Sequence, residues 1–191
     1  MKKLDISYSD SELEPIVKWC GENKEYTPVI TKYNKKGNWK AISLKGYAVD
    51  PLVISKPNVL GVGEGGSLQE TPLFTELNIP SILDKIPAET ERVRLMKLEA
   101  GTKLSKHTDK VDKEIKNGEI VRLHIPIITS EQVTMITWLE PKIPTEFKMR
   151  KGECWWLDVS KPHQVLNESE IDRVHLVIDV YVNNFMTEAL Q

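Results

Sequence analysis

His107 and Asp109 are separated by one residue, and His163 follows the turn-forming run Ser160-Lys161-Pro162. In an extended segment residues i and i+2 point to the same side, so His107 and Asp109 can reach one ion. With His163 as a third ligand, two imidazoles and one carboxylate would cover one face of a metal and leave three positions open. Non-haem Fe(II) uses that arrangement for O₂ chemistry. The open positions matter because a bidentate co-substrate and O₂ must share the ion. The His-x-Asp spacing alone is weak, since a lone strand histidine is usually a satisfied core or surface group. Arg173, ten residues beyond His163, strengthens it. A guanidinium offers a planar fork matched to a carboxylate and stays charged when buried. A dicarboxylic keto acid chelating a metal at one end needs such a partner at the other.

These residues need strands to carry them. From residue 92 onward the pattern has period two: 92–98, Ile120–Ile128, 133–139, 153–159 and 173–182 are rich in β-branched or aromatic residues. Gly101, Asn117-Gly118, Pro141, Gly152 and Pro162 punctuate them. Short strands at such intervals predict a sandwich or barrel, not βαβ units. In Ile120–Ile128 one face is Val121, Leu123, Ile125 and Ile127, and the other presents Arg122 and His124. In 173–182 Val174, Leu176, Ile178, Val180 and Val182 alternate with Arg173, His175, Val177, Asp179 and Tyr181. A polar face in water explains this alternation. Two strands lining a polar pocket inside a barrel explain it equally well. Periodicity leaves both readings open.

Upstream, Ser9 and Glu12 have capping-box spacing, and Leu13, Ile16, Val17 and Cys20 recur at helical spacing, with Gly21 placed to close the helix. Residues 39–44 alternate like a short strand, and 81–86 reads as a short helix with Asn78 as its cap and Pro80 in its first turn. Residues 50–72 carry Pro51, Pro57, Pro72 and a glycine cluster at 61–66. The cluster matches neither a P-loop nor a dinucleotide fingerprint. It reads as a flexible loop, with a substrate lid as the lesser alternative.

The 191 residues are enough for one domain with its own core. A net charge of −2 leaves no electrostatic footprint for nucleic acid and no polybasic membrane patch. Cys20 and Cys154 form no CxxC pair, which suits a reducing compartment. Asp5, Ser7, Ser9, Asp10 and Glu12 interrupt any apolar signal region after Met1-Lys2-Lys3, and no run reaches the ~18 apolar residues of a membrane span. A cytoplasmic location is the expectation, with no nucleic-acid or membrane partner.

Several blocks act together. They are Arg94-Leu95-Met96, then Gly101 and His107-Thr108-Asp109, then Val121-Arg122-Leu123-His124-Ile125-Pro126. Gly152-Glu153-Cys154-Trp155-Trp156-Leu157-Asp158, His163-Gln164-Val165-Leu166-Asn167 and Arg173-Val174-His175-Leu176-Val177-Ile178-Asp179 follow. Their order and spacing resemble the aspartyl/asparaginyl β-hydroxylase family over about residues 90–182. The resemblance implies a mainly β, cupin-like double-stranded β-helix (jelly roll) with a few supporting N-terminal helices. It implies a single domain, residues 1–90 supporting a catalytic core at 91–183.

It also implies a dioxygenase dependent on Fe(II), with 2-oxoglutarate and O₂ as co-substrates. His107, Asp109 and His163 would be iron ligands and Arg173 the partner of the distal 2-oxoglutarate carboxylate. Arg122 and His124 would contact the carboxylate at the metal end. Some family members carry glycine at the carboxylate position, whereas Asp109 here completes the triad. The implied reaction hydroxylates a C–H of an amino-acid-like small molecule, releasing succinate and CO₂. The alternatives are hydroxylation of an Asp, Asn or other side chain in a peptide or protein, and a non-catalytic cupin-like metal-binding or sensor module. A zinc hydrolase lacks an obvious general base. The charged stretch 110–119 reads as a surface loop, with closure over the substrate less favoured. His175 and Asp179 line the substrate end or belong to a buried polar network. Trp138, Trp155 and Trp156 read as core or rim, Asn167 as a turn former and Cys154 as a small buried apolar group. The oligomeric state is not legible.

Overall fold

The computed structural model describes residues 1–23, 25–57, 66–109, 113–140 and 143–190. The chain opens with strand β1 (Lys2–Ser7) and helix α1 (Asp10–Glu22). Ser9 accepts from the Glu12 backbone N–H while Glu12 accepts from the Ser9 N–H, which forms the expected capping box. The helix runs through Gly21 instead of ending there. Asn23 closes it, because its backbone N–H and its side-chain Nδ2 both donate to the Trp19 carbonyl at 2.9 Å.

Strands β2 (Thr27–Pro28), β3 (Trp39–Gly46) and β4 (Gln69–Glu70) follow, then helices α2 (Pro72–Glu76) and α3 (Ile79–Leu83). Helix α3 begins before the expected residue 81 and stops at Leu83. Asn78 precedes it with φ 54, and in that left-handed conformation its side chain makes no capping bond. The remaining elements are β5 (Thr90–Leu98), β6 (Thr102–His107), α4 (Lys113–Asn117), β7 (Ile120–Ile128), β8 (Val133–Glu140), β9 (Ile143–Phe147), β10 (Glu153–Leu157), β11 (His163–Asn167), β12 (Arg173–Tyr181) and α5 (Asn184–Leu190). The expected loop at 110–119 thus contains one helical turn, whose Ile115 is buried. Residues 110–112, and 58–65 with most of the glycine cluster, lie outside the described residues.

All pairings are antiparallel. One sheet has the order β1-β10-β7-β12-β5-β3-β2, with β4 paired to β3, and the other has the order β6-β11-β8-β9. Strands β5 to β12 alternate between the sheets, except that β8 and β9 pair as neighbours in the smaller one, to form the double-stranded β-helix, and β1, β2, β3 and β4 widen the larger one. The fold is mainly β and cupin-like, with a few helices. Among the described residues no helix is long and apolar enough to cross a membrane.

The larger sheet has two different faces. Leu95, Leu123, Ile125, Leu176 and Ile178 form one core with Leu13 and Ile16 of α1 and with Phe74, Ile79 and Ile82 of α2 and α3. On the other face Leu98 and Leu157 meet Leu104, Met135 and Val165 of the smaller sheet. The polar members of β7 and β12 therefore turn inward, between the sheets.

Gly152 ties β1 to this frame. Tyr8 N–H donates to the Gly152 carbonyl at 2.9 Å, and a Cβ on Gly152, whose φ is +79, would overlap the Tyr8 carbonyl oxygen. Gly152→Ala is expected to cost on the order of 1–3 kcal/mol, through both the positive φ and the overlap. A urea midpoint equal to wild type would contradict this.

Candidate metal centre

His107 ends β6 and His163 begins β11, and the two are direct partners in the β6–β11 ladder, with ring centroids 4.2 Å apart. The register of that ladder shifts between His163 and Val165, whose partners are His107 and Leu104. The extra residue on β6 is a bulge, and it lets both Leu104 and His107 be buried although three positions separate them. Strand β6 stops at His107, so strand alternation does not place Asp109. Instead the Asp109 N–H donates to the Val159 carbonyl at 2.9 Å, which brings its carboxylate 3.6 Å from His107 Nε2. The donor atoms of His107, Asp109 and His163 lie within 4.8 Å of one another, the one such group among the described residues.

Each imidazole is locked from behind. His107 Nδ1 lies 2.8 Å from the Ser105 carbonyl, and His163 Nδ1 lies 3.0 Å from the Lys161 carbonyl. A carbonyl can only accept, so each Nδ1 carries the proton and each Nε2 keeps its lone pair. Burial lowers the His163 pKa against the opposing pull of Asp109, which favours the neutral ring that a metal requires. Two imidazole nitrogens and one carboxylate, held close and on one side, fit Fe(II) with open positions.

Three arginines converge on Asp179 beside the centre. Arg122 donates through Nε (2.6 Å) and its second terminal nitrogen (3.0 Å) to the two oxygens of Asp179, and through Nη1 to Asp109. Arg94 and Arg92 reach the same Asp179 oxygen at 2.9 and 3.0 Å. Asp179 is fully buried. Burial alone would raise its carboxyl, but Arg122, Arg94 and Arg92 hold it well below the usual range. Of the two roles considered for Asp179, the structure supports a buried polar network.

Arg173 is different. It is 4% exposed, no carboxylate among the described residues pairs with it, and its Nε has no partner. Its hydrogen-bond partner is His175, whose Nδ1 lies 2.8 Å from a terminal guanidinium nitrogen. His124, 8% exposed, has no protein partner on either ring nitrogen. Burial, helped by the Arg173 and Arg122 charges, pushes its pKa well below normal. Buried polar groups are ordinarily satisfied, so a guanidinium with no carboxylate partner and an imidazole with no protein partner in one cavity fit an anionic ligand.

His107, Asp109, His163, Arg122, His124 and Arg173 all line a single open cavity. Sequence reasoning missed three other contributors. Arg94 lines the cavity, and its signal was legible: Arg92 and Arg94 alternate on β5 just as Arg122 and His124 do on β7. Trp39 and Tyr33 had no chemical signature, yet their rings lie 5.9 and 5.3 Å from that of His107. Asn34 folds this wall into place by donating to the Val29 and Trp39 carbonyls and accepting from the Trp39 N–H. Trp138 lies outside the cavity lining, beneath Lys106. Asn167 is buried and fastens the turn after β11 by donating to three carbonyls.

Comparison with known proteins adds a family. The model for "Aspartyl/Asparaginyl beta-hydroxylase" matches residues 10–182. Among solved structures, a 2OG-Fe(II) oxygenase family oxidoreductase from Burkholderia pseudomallei superimposes with TM-score 0.62 at 13% identity, covering 93% of this chain and 81% of that one. A Pseudomonas putida prolyl-4-hydroxylase gives TM-score 0.55 at 10% identity, covering 95% of this chain and 92% of that one. The non-heme alpha ketoglutarate dependent epimerase SnoN from nogalamycin biosynthesis gives 0.55 at 10% identity, over 94% and 76%. At these identities the shared property is the fold.

Proposed function

The chain belongs to the aspartyl/asparaginyl β-hydroxylase family, and from that membership we propose that it hydroxylates a C–H bond of an amino acid or amino-acid-like small molecule, converting 2-oxoglutarate and O₂ to succinate and CO₂. It is an enzyme of the 2-oxoglutarate/Fe(II) oxygenase type. The observation that carries the residue assignment is Arg173, a buried cation with no anionic partner among the described residues, in the same cavity as two histidines and a carboxylate.

His107, Asp109 and His163 hold the iron. Bound there, Fe(II) would supply the oxidising chemistry that turns a C–H into a C–OH. Asp109 is oriented by Arg122, whose Nη1 donates to its carboxylate. Arg173 binds the distal carboxylate of 2-oxoglutarate, and Arg122 with His124 borders the carboxylate at the metal end. Trp39, Met96, Leu104 and Leu157 form apolar walls of the cavity and exclude water. The substrate class rests on Arg94, which spends one nitrogen on Asp179 and has a buried Nε without a partner. Such a group suits the carboxylate of a free amino acid.

The test follows succinate by NMR in wild-type protein with Fe(II), 2-oxoglutarate and a panel of amino acids. The expected result is Fe(II)-dependent succinate formation, abolished by a chelator and stimulated by at least one amino acid. Stimulation by peptides alone would overturn the substrate class. Folded, iron-loaded protein that neither binds nor consumes 2-oxoglutarate would overturn the site assignment.

A further inference from the structure

Strand β12 treats the cations at its two ends in opposite ways. At one end Asp179 is an ion-pair partner shared by Arg92, Arg94 and Arg122. At the other, Arg173 has on its own strand face, two residues along, the neutral acceptor His175. A guanidinium only donates, so His175 Nδ1 holds a lone pair and the ring proton sits on Nε2. Burial, reinforced by Arg173 and His124, holds the His175 pKa well below normal, so the ring carries no charge. His175 is 1% exposed and absent from the lining of the main cavity. It lines instead a smaller space behind Arg173, bounded also by Thr129, Met135, Phe147 and Met149. It therefore touches Arg173 from the rear, away from the metal.

We propose that His175 is a positioning residue for the co-substrate: its Nδ1 fixes the rotation of the Arg173 guanidinium without neutralising it. The cation is thereby held ready for the distal carboxylate of a 2-oxo dicarboxylic acid. The proposal rests on the assignment of Arg173 given above. A carboxylate at 175 would close an ion pair of the kind Asp179 makes, leaving no charge for a ligand. An apolar residue would orphan a buried donor and free the guanidinium to turn, and the fork would lose its alignment. The imidazole avoids both outcomes, since it is rigid, accepts one hydrogen bond and adds no charge.

The experiment measures 2-oxoglutarate binding by calorimetry on the full chain loaded with Mn(II), alongside steady-state kinetics with Fe(II) and thermal melts. The variants are His175→Asn, His175→Asp and His175→Leu, with Arg173→Lys as a control. Asn places Oδ1 close to where Nδ1 lies and should bind within about threefold of wild type. Leu should weaken Kd by about 10- to 100-fold, as expected for a lost hydrogen bond to a charged group, with kcat at saturating co-substrate almost unchanged. Asp should bind more weakly than Asn, although it also restores an acceptor. Should the Leu variant fail to fold, the near-isosteric Asn and Asp variants decide the matter, and equal binding by those two overturns the proposal. If wild type binds and Arg173→Lys weakens binding while all three His175 variants match wild type, the role of His175 fails and that of Arg173 stands. If wild type binds no 2-oxoglutarate, both fail.

Discussion

Arg173→Met is expected to raise the Kd for 2-oxoglutarate between about thirtyfold and several thousandfold while leaving the fold intact. The range corresponds to about 2–5 kcal/mol for truncating one partner of a buried charge pair, at about 1.4 kcal/mol per factor of ten. Stability should move the other way. In the free protein Arg173 is a buried cation whose neighbour is a neutral imidazole, so its desolvation is offset by no counter-charge. Burial alone pulls its pKa down to about 9, which is the same penalty seen from the titration side. Methionine keeps most of the volume and removes the charge. The cost is an acceptor on His175 without its donor, about 1 kcal/mol. The melting temperature should hold or rise as binding collapses, the pattern of a residue retained for ligand binding at the expense of stability. Calorimetry and a thermal melt on the same sample check both halves. A large drop in melting temperature would make Arg173 a structural group, and an unchanged Kd would mean the keto acid binds elsewhere.

Asp179→Asn should have the opposite signature. Three guanidinium groups share this fully buried carboxylate, and removing its charge leaves them to repel one another in a desolvated space. Breaking a buried pair by losing one partner costs about 3–5 kcal/mol, which for a chain of this size is a fall of roughly 6–20 °C in melting temperature. Arg122 would also lose the anchor that aims its third nitrogen at Asp109, so metal retention should weaken along with stability. The pH dependence gives an independent check. The folded Asp179 pKa is depressed below the unfolded value of about 3.9, so its contribution is complete above that pH and is lost as the pH falls through the folded value. The stability gap between wild type and variant should be flat from pH 7 to about 5 and shrink only below about 4. A gap that closes near neutral pH would point to a different group.

Much of this arrangement is written in short windows of sequence. The capping box at Ser9 and Glu12 and the apolar stripe of α1 lie within one helix, and the period-two runs of β7 and β12 lie within one strand each. Such signals survive without tertiary context because neighbouring backbone geometry creates them. The residues of the His107–Asp109–His163 cluster and the distant arginine were legible for a similar reason, since chemistry resides in side-chain identity. The strand-like run that ends at His107 is β6, and less visible was β11, whose buried positions include His163 and Asn167. A strand whose inward face is polar lacks the apolar alternation that marks a strand. The five-residue helices α3 and α4 are too short to stand without packing, so their bounds were not encoded locally.

Tertiary packing alone chose between a solvated and an enclosed polar face on β7 and β12. Alternation states which residues share a face, whereas the smaller sheet above that face decides whether water reaches it. The same is true of the Asp179 hub. Its carboxylate meets Arg94 across 85 residues of chain and Arg122 across 57, pairings that antiparallel register creates and no local pattern records. It is true again of Asp109, which a backbone bond to Val159, in the turn between β10 and β11, brings beside His107 after the strand has ended. The residue types in the chain name the chemistry; the closure of two sheets around them sets which charges are paired and leaves Arg173 buried without a carboxylate partner among the described residues.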